Sequence, residues 1–367
     1  MHLKNIKLVQ FKNYQQVGAE FSKEINCFLG INGSGKTNLL DAIHYLCFTR
    51  SAFNTVDSQN ILHGETFFTV KGEFELDDKA LEIKCISETG KKKQILNSGK
   101  PYDKMSDHVG LLPVVMIAPD DTQLIKEGSE GRRNFFDSII SQLDRPYLQL
   151  LVRYQHFLKQ RNALLKQFAD SGNINHGLLE PYNLELITLS KSIYTKRIEF
   201  ISNYKLQLQH HYGVISDDKE AVEVAYQSDC EDSDFEAQFN ASLRKDIILK
   251  RTNKGIHKDD FVFTIGGYPL KKFGSQGQQK SFLIALKLSQ FQTLKEGKGI
   301  LPILLLDDIF DKLDDLRIAK MIELVANHEF GQLFITDARP ERSKQILTTI
   351  DAEKKFFYIQ NGILTST

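Results

Sequence analysis

Gly30-Ile31-Asn32-Gly33-Ser34-Gly35-Lys36-Thr37 is the stretch from which the rest of this chain is read. A glycine, four residues and then Gly-Lys-Thr is the phosphate-loop pattern, whose glycines let backbone N–H groups turn inward around phosphate oxygens. The pattern needs a strand before it and a helix after it. Ile25 to Leu29 is an apolar run that reads as a buried strand, and Leu39, Leu40, Ile43 and Cys47 recur at helical spacing. The helix dipole adds positive character where loop and helix meet. In this setting Lys36 reaches the outer phosphates, the Thr37 hydroxyl sits on Mg²⁺, and Asn38 follows beside the nucleotide. A glycine-rich turn with a chance match is the alternative; strand, helix, Lys and Thr together argue against it. The expectation is a nucleoside triphosphate site.

The 367 residues suit two domains, or one large domain carrying an insertion. Hydrophobic residues make up 41% and charged residues 26%, as in ordinary globular proteins. Lys+Arg and Asp+Glu both number 47, so a nucleic-acid surface must come from local asymmetry rather than overall charge. Cys27, Cys47, Cys85 and Cys230 lie far apart with no C-x-x-C pair, which argues against a zinc site or disulfide framework and suits a reducing compartment. No apolar run is long enough to span a bilayer, and Met1-His2-Leu3-Lys4 opens no signal peptide. A cytoplasmic protein with no membrane partner is expected.

Outward from the loop, Leu3 to Phe11 alternates as a strand, Lys12-Asn13-Tyr14 turns, and Val17 to Phe21 reads as a second strand. From Thr66 to Lys104 the period is two, with turns at Asp77-Asp78 and Gly90, which predicts a small antiparallel sheet. Val114 to Ala118 is a buried strand closed by Pro119-Asp120-Asp121. Arg132 to Phe168 then carries apolar residues at helical spacing, Gly172, Gly177 and Pro181 mark a turn, and a second helical stretch runs from Leu184 to about Leu208. A helical hairpin insertion is predicted, its longer arm reaching about 55 Å at about 1.5 Å per residue. The acids Asp229, Glu231, Asp232 and Asp234 lack EF-hand spacing and read as a solvated helix start. Phe261 to Ile265, Ile303 to Leu306 and Leu333 to Ile335 are strands of a returning α/β unit.

Further motifs narrow the class. Ile303 to Leu306 followed by Asp307-Asp308 is the Walker B pattern: one carboxylate at a strand's end supports Mg²⁺ opposite Thr37, and a second orients or deprotonates water. Before it, Ser275-Gln276-Gly277-Gln278-Gln279-Lys280 opens an apolar helix, with Ser275 as N-cap and the helix start as a second anion site. Asp311-Lys312-Leu313-Asp314 follows Walker B.

Phosphate loop, Ser-x-Gly-Gln signature, Asp-Asp and Leu-Asp loop, in that order, resemble the ABC-type ATPase head. A signature placed after a large helical insertion resembles the SMC-like branch, and within it the RecF family of bacterial recombination mediators. The residues carrying this are Leu8-Val9-Gln10-Phe11-Lys12-Asn13-Tyr14, Arg50-Ser51, Ala118-Pro119-Asp120-Asp121 with Lys126, Gly128, Arg132 and Arg133, His257-Lys258-Asp259-Asp260, and the signature itself. The resemblance covers nearly the whole chain. It implies an α/β fold: an ABC-type head, made of a P-loop mixed sheet with a small antiparallel β-subdomain, plus an inserted α-helical arm. The boundaries expected are 1–120 and 251–367 for the two halves of the head and 121–250 for the arm.

The resemblance also implies a nucleotide sandwich. Lys36 and Thr37 hold phosphate and Mg²⁺, Asp307 supports the metal, and Asp308 takes the general-base place. Ser275, with Gln276, Gly277 and Gln278, closes the partner protomer's site. Asp120 falls near a metal- and water-sensing loop, Asp311 and Asp314 in the loop after Walker B, Arg50 near a phosphate-contacting arginine, and Lys12-Asn13-Tyr14 toward the adenosine end. Arg50, Lys12 and Asp120 each have an alternative reading as surface or structural residues.

Two departures stand out. Asp308 replaces the commoner glutamate, and Thr336-Asp337-Ala338 stands where many relatives keep a switch histidine, leaving the γ-phosphate contact to Thr336 or another group. A weak, DNA-stimulated ATPase that acts as a switch is expected. No base-reading motif is present; Lys91, Lys92, Lys93, Lys100, Arg132, Arg133, Arg153, Lys159 and Arg161 are the candidate phosphate contacts, each with an alternative reading as an ordinary surface charge. The resemblance implies ATP-dependent dimers on double-stranded and gapped DNA, in replication, repair and the SOS response of a bacterial nucleoid, with RecR, RecO and RecA. A transporter-type ATP-binding subunit and a metabolic phosphotransferase are the alternatives. The helical insertion argues against the first and the signature against the second.

Overall fold

A computed structural model of the chain describes residues 1–216, 220–308, 331–348 and 350–366. In chain order the first elements are β1 (His2–Phe11), β2 (Tyr14–Glu20), β3 (Ile25–Leu29), α1 (Lys36–Phe48), β4 (Phe67–Leu76), β5 (Lys79–Glu88), β6 (Gln94–Asn97), β7 (Lys100–Pro101) and β8 (Val114–Ile117). Then come α2 (Gln123–Lys126), α3 (Ser129–Leu143), α4 (Arg145–Ser171), α5 (His176–Ser216), β9 (Val222–Gln227), α6 (Phe235–Ala241), α7 (Leu243–Ile248), β10 (Asp260–Ile265), β11 (Tyr268–Pro269), α8 (Leu270–Phe273) and α9 (Gln276–Lys298). The described residues close with β12 (Ile303–Leu306), β13 (Leu333–Asp337), α10 (Pro340–Thr348), β14 (Lys354–Gln360) and β15 (Ile363–Ser366).

Contacts divide the chain into two units, Met1–Asp121 with Gln290–Thr367, and Thr122–Ser289. The first holds two sheets. One is antiparallel in the order β2-β1-β4-β5-β6-β7; the other runs β15-β14-β3-β13-β12-β8, parallel except for its β14–β15 edge. α1 packs on strands of both, so nearly all of its faces are buried, and Leu39, Leu40, Ile43 and Leu46 share one core with Ile6, Phe68, Phe28 and Phe334. A helix buried on most faces has to be mostly apolar, and the buried Asp41 is tolerated because Lys12 pairs with it. Every residue of β3, β12 and β8 is buried, and all are apolar except Asn26, whose amide pairs with the Ser22 backbone, as parallel strands covered on both faces require.

The second unit contains the helices α2 to α7, the three-stranded sheet β11-β10-β9, α8 and most of α9. It differs from the sequence expectation in four ways. The boundary expected at 250/251 falls inside this unit, because β10 pairs with β9 along its whole length. That strand, Val222–Gln227, alternates Val-Glu-Val and interrupts what reads as an all-helical insertion. The stretch Arg132 to Phe168 is two helices, broken at Asp144, which caps α4 by accepting from the Tyr147 N–H while Pro146 fills the first turn. Pro181 lies inside α5 rather than in the turn before it, and the 41 residues of that helix have a contour of about 60 Å.

Candidate functional site

The parallel register brings the chemistry together. β3 pairs with β13 so that Leu29 lies beside Asp337 and Phe28 beside Thr336; β13 pairs with β12 so that Ile335 lies beside Leu306. The loop after β3, the Asp307-Asp308 step after β12 and Thr336 therefore meet at the carboxyl ends of adjacent parallel strands, where α/β sheets bind ligands. Thr37, on the first turn of α1, donates to Asp307 at 2.8 Å from Oδ1 and 3.1 Å from Oδ2. Thr336 Oγ1 donates to Asp307 Oδ1 at 2.8 Å and accepts the Asp308 N–H at 2.9 Å. Burial, with the Asp308 charge adding to it, pushes the Asp307 carboxyl above its ordinary pKa; the hydroxyls of Thr336 and Thr37 pull the other way.

The loop is held from outside. Lys36 extends its ammonium back over it, 2.8 Å from the Gly30 carbonyl and 3.1 Å from that of Ile31. The Ser34 carbonyl accepts from Asn13 Nδ2 at 3.2 Å and from the Gly362 N–H at 3.3 Å, and the Tyr14 hydroxyl donates to the Gly35 carbonyl at 2.9 Å. Asn38 donates to Asn13 at 2.7 Å. Of the loop's own N–H groups, that of Gly30 bonds to the Asp337 carbonyl at 3.3 Å and that of Ser34 to the Ile31 carbonyl at 3.2 Å. Gly35, with φ 116, precedes α1 without a side-chain cap, and the buried Ser34 hydroxyl has no hydrogen-bond partner among the described residues. Uncapped helix N–H groups, an orphaned buried hydroxyl and a lysine on one loop suit a polyphosphate.

The Thr37 hydroxyl and the Asp307 carboxylate form an all-oxygen pair of the kind a hard divalent cation takes. Among the described residues no group of three or more His, Cys, Asp or Glu side chains could hold a metal. That fits Mg²⁺, which keeps its waters and uses substrate phosphates alongside one or two protein ligands.

The remaining sequence candidates fall as follows. Lys12, with φ 52, places its ammonium 2.6 Å from the fully buried Asp41, whose other oxygen accepts from the Ala52 N–H. Lys12 is thus tied to a buried carboxylate of α1 rather than extended toward solvent, while Asn13 is the residue that reaches the phosphate loop. Asp120 is exposed just after β8, at the same strand ends as Asp307. Arg50 is exposed, its guanidinium 5.9 Å from the Phe48 ring centroid. Asp311 and Asp314 lie outside the described residues. In the second unit, Ser275 Oγ accepts the Gln278 N–H at 3.2 Å while Gln278 Oε1 accepts the Ser275 N–H at 2.6 Å, a reciprocal capping box at an exposed helix start. Gln276 is exposed and Gly277 half-buried beside them.

The basic candidates separate sharply. Lys93 is bound to Asp57 at 2.8 Å and to the Thr49 carbonyl at 2.6 Å; Arg132 forks onto Asp260 at 2.8 and 2.9 Å; Arg133 reaches the Asp259 carbonyl at 2.6 Å. Arg161 is completely buried against Asp246, which corrects its reading as a surface charge. Lys92 and Lys100 are exposed, as is Lys91 in a surface pair with Glu88. Gly362 is absent from the sequence candidates, and Tyr14 is expected there only toward the adenosine end, not as the donor to the Gly35 carbonyl. The Asn361-Gly362 step, with φ 49 and 75 between the paired strands β14 and β15, is itself a strong two-residue hairpin signal.

Residues 2–363 match the model of the RecF/RecN/SMC N terminal domain. The chain is 48% identical to the DNA replication and repair protein RecF of Flavobacterium johnsoniae, covering 97% of this chain and 99% of that one. It is likewise 48% identical to that of Cytophaga hutchinsonii over 99% and 96%. A solved structure of the recombination mediator protein RecF-ATPrS in the RecFOR pathway superposes with a TM-score of 0.89 at 29% identity, covering all of this chain and 98% of that one. An Smc head bound to the C-winged helix domain of ScpA shares the fold, with a TM-score of 0.59 at 15% identity. The chain therefore belongs to the RecF family of DNA replication and repair proteins, within the wider RecF/RecN/SMC group.

Proposed function

We propose that this protein binds and slowly hydrolyses ATP with Mg²⁺, that ATP joins two copies into a dimer, and that the dimer holds DNA at the single-strand/double-strand junctions of gaps. The observation that carries the nucleotide half is the convergence of Thr37, Asp307, Thr336 and Asp308 beside a phosphate loop held from outside. The repair half follows from near full-length relatives that are DNA replication and repair proteins, and from solved RecF structures named for ATP and the RecFOR pathway.

In this reading Lys36 leaves the Gly30 and Ile31 carbonyls for the outer phosphates, and Thr37 with Asp307 supports Mg²⁺. The bound metal neutralises charge on the phosphates. Asp308 takes a proton from the attacking water, and its side chain, one methylene shorter than glutamate, suits slow turnover. Ser275 uses its oxygen to cap α9, so its single proton is left to donate outward to the γ-phosphate held by a second copy. ATP that binds the dimer better than the monomer acts as glue, and hydrolysis releases it. RecR, with RecO, then assists RecA onto the single strand in the bacterial cytoplasm.

The test is sedimentation of Asp308→Asn with and without Mg·ATP. A monomer that becomes a dimer only with ATP, and fails to do so when Ser275→Arg is added, supports the sandwich. A protein that binds ATP yet stays monomeric, with DNA present too, rules it out.

A further inference from the structure

We propose that Thr336 is a positioning residue for hydrolysis that acts through Asp308, and that it does not take the γ-phosphate contact of a switch histidine. The inference rests on the reading of Asp308 as the group that activates water.

Thr336 is completely buried near the end of β13. Its hydroxyl has one proton, which goes to Asp307 Oδ1 at 2.8 Å, and its oxygen accepts the Asp308 N–H at 2.9 Å. Toward a phosphate it has no proton left to offer, only lone pairs, which repel an anion. A histidine in the switch role must present a donor.

What Thr336 does hold is the peptide that carries Asp308. That residue sits at φ 43, in the left-handed region, which aspartate visits more readily than most residues with a Cβ but which here follows directly on a buried strand. The preceding residue is fixed by the ladder, since the Asp307 N–H bonds to Ile117 of β8 at 2.9 Å. Asp308 is past the last ladder partner of β12, and its N–H is fixed by a side chain instead. The β-branched threonine in a buried strand has a stiff χ1, so its oxygen is a well-defined anchor. One hydroxyl therefore sets the direction in which the second carboxylate leaves the strand, while Asp307 keeps the Thr37 hydroxyl as a donor of its own.

The test combines Thr336→Val, which keeps the shape and removes the hydroxyl, with Thr336→Ser, which keeps the hydroxyl, each with and without Asp308→Asn in the full chain. For Thr336→Val, binding of a fluorescent ATP analogue with Mg²⁺ should stay within about twofold of the parent, while single-turnover hydrolysis falls about 10- to 100-fold, the scale of losing a group that orients a reacting one from behind. Its ATP-dependent dimer, read by sedimentation, should persist as that of Asp308→Asn does. Thr336→Ser should recover hydrolysis to within a few-fold. The Thr336→Val/Asp308→Asn double variant should be no slower than Asp308→Asn, because a residue acting only through another adds nothing once that one is gone. Tenfold weaker nucleotide binding with additive losses would instead mean that Thr336 meets the phosphate itself and would overturn the proposal, as would Thr336→Val hydrolysing at the parental rate. Asp308→Asn hydrolysing at the parental rate would remove the reading of Asp308 as well.

Discussion

A methyl group at Gly30 would lie 2.4 Å from the Ile359 carbonyl oxygen and 2.9 Å from Ser34 Oγ, whereas one at Gly33 would meet nothing within 4 Å. Gly30 is fixed by the motif and Gly33 is one of its four variable positions, and they differ in the fold too: the first is packed against the C-terminal hairpin, the second meets no neighbour and is required by its φ of 80. Gly30→Ala should cost about 1–3 kcal/mol, as overpacking against backbone does. It should also displace the loop enough to weaken nucleotide binding at least tenfold. Gly33→Ala should cost about 1–2 kcal/mol through its left-handed φ alone. Urea unfolding midpoints and a fluorescent ATP titration on both variants check this. Equal losses of binding would mean that the hairpin does not support the loop. At this scale the motif was legible because its chemistry is local. The anchors Asn13, Tyr14 and Gly362 were not legible as anchors, since each reaches the loop from a distant element.

Among elements, the helices of the second unit show what periodicity conceals. Arg161 occupies a helical position that reads as a solvent charge, and Arg197 stands on the next helix, yet both are buried: Arg161 on Asp246 and Thr252, Arg197 between Asp137 and Asp259. Their partners come from up to 91 residues away, so spacing within one helix carries no trace of them. The same region holds a pH-sensitive group. His257 accepts from, or donates to, the Tyr154 hydroxyl through Nδ1 at 2.7 Å and faces the Thr252 carbonyl with Nε2 at 3.0 Å. The carbonyl requires a proton on Nε2, which makes Nδ1 of the neutral ring the acceptor. Burial lowers its pKa from 6.5 to about 4. The unfolded chain then binds the proton first, so the stabilisation is fully present above about pH 6.5 and is lost as pH falls toward 4, by at most about 3 kcal/mol. The urea midpoint of the parent should fall across that window, and His257→Gln should flatten the dependence. An unchanged slope in the variant would assign the pH effect elsewhere.

For the whole molecule, a balance of 47 basic and 47 acidic residues leaves any DNA surface to local exposure. Lys92 and Lys100 should contribute to a sequence-independent phosphate surface: changing each to alanine should weaken duplex binding and reduce the slope of log affinity against log salt by about 0.9. Lys93→Ala should leave the slope unchanged and lower the unfolding midpoint instead, because its ammonium ties the Thr49 carbonyl to Asp57. Salt titrations of binding to a gapped duplex separate the two outcomes, and a slope change only in Lys93→Ala would reverse the assignment. The sequence by itself determined the phosphate loop with its strand and helix, the Walker B acids, the capped signature helix and the antiparallel hairpins. Each is written in glycine spacing, hydrophobic period or turn residues within a few positions. Only the tertiary structure decided that β9 and the signature helix group with the arm, that Lys93, Arg132 and Arg161 are internal ion-pair partners, and that Thr336 holds the Asp308 peptide. Those outcomes depend on pairings between segments far apart in the chain, and a buried charge becomes tolerable only when its partner arrives.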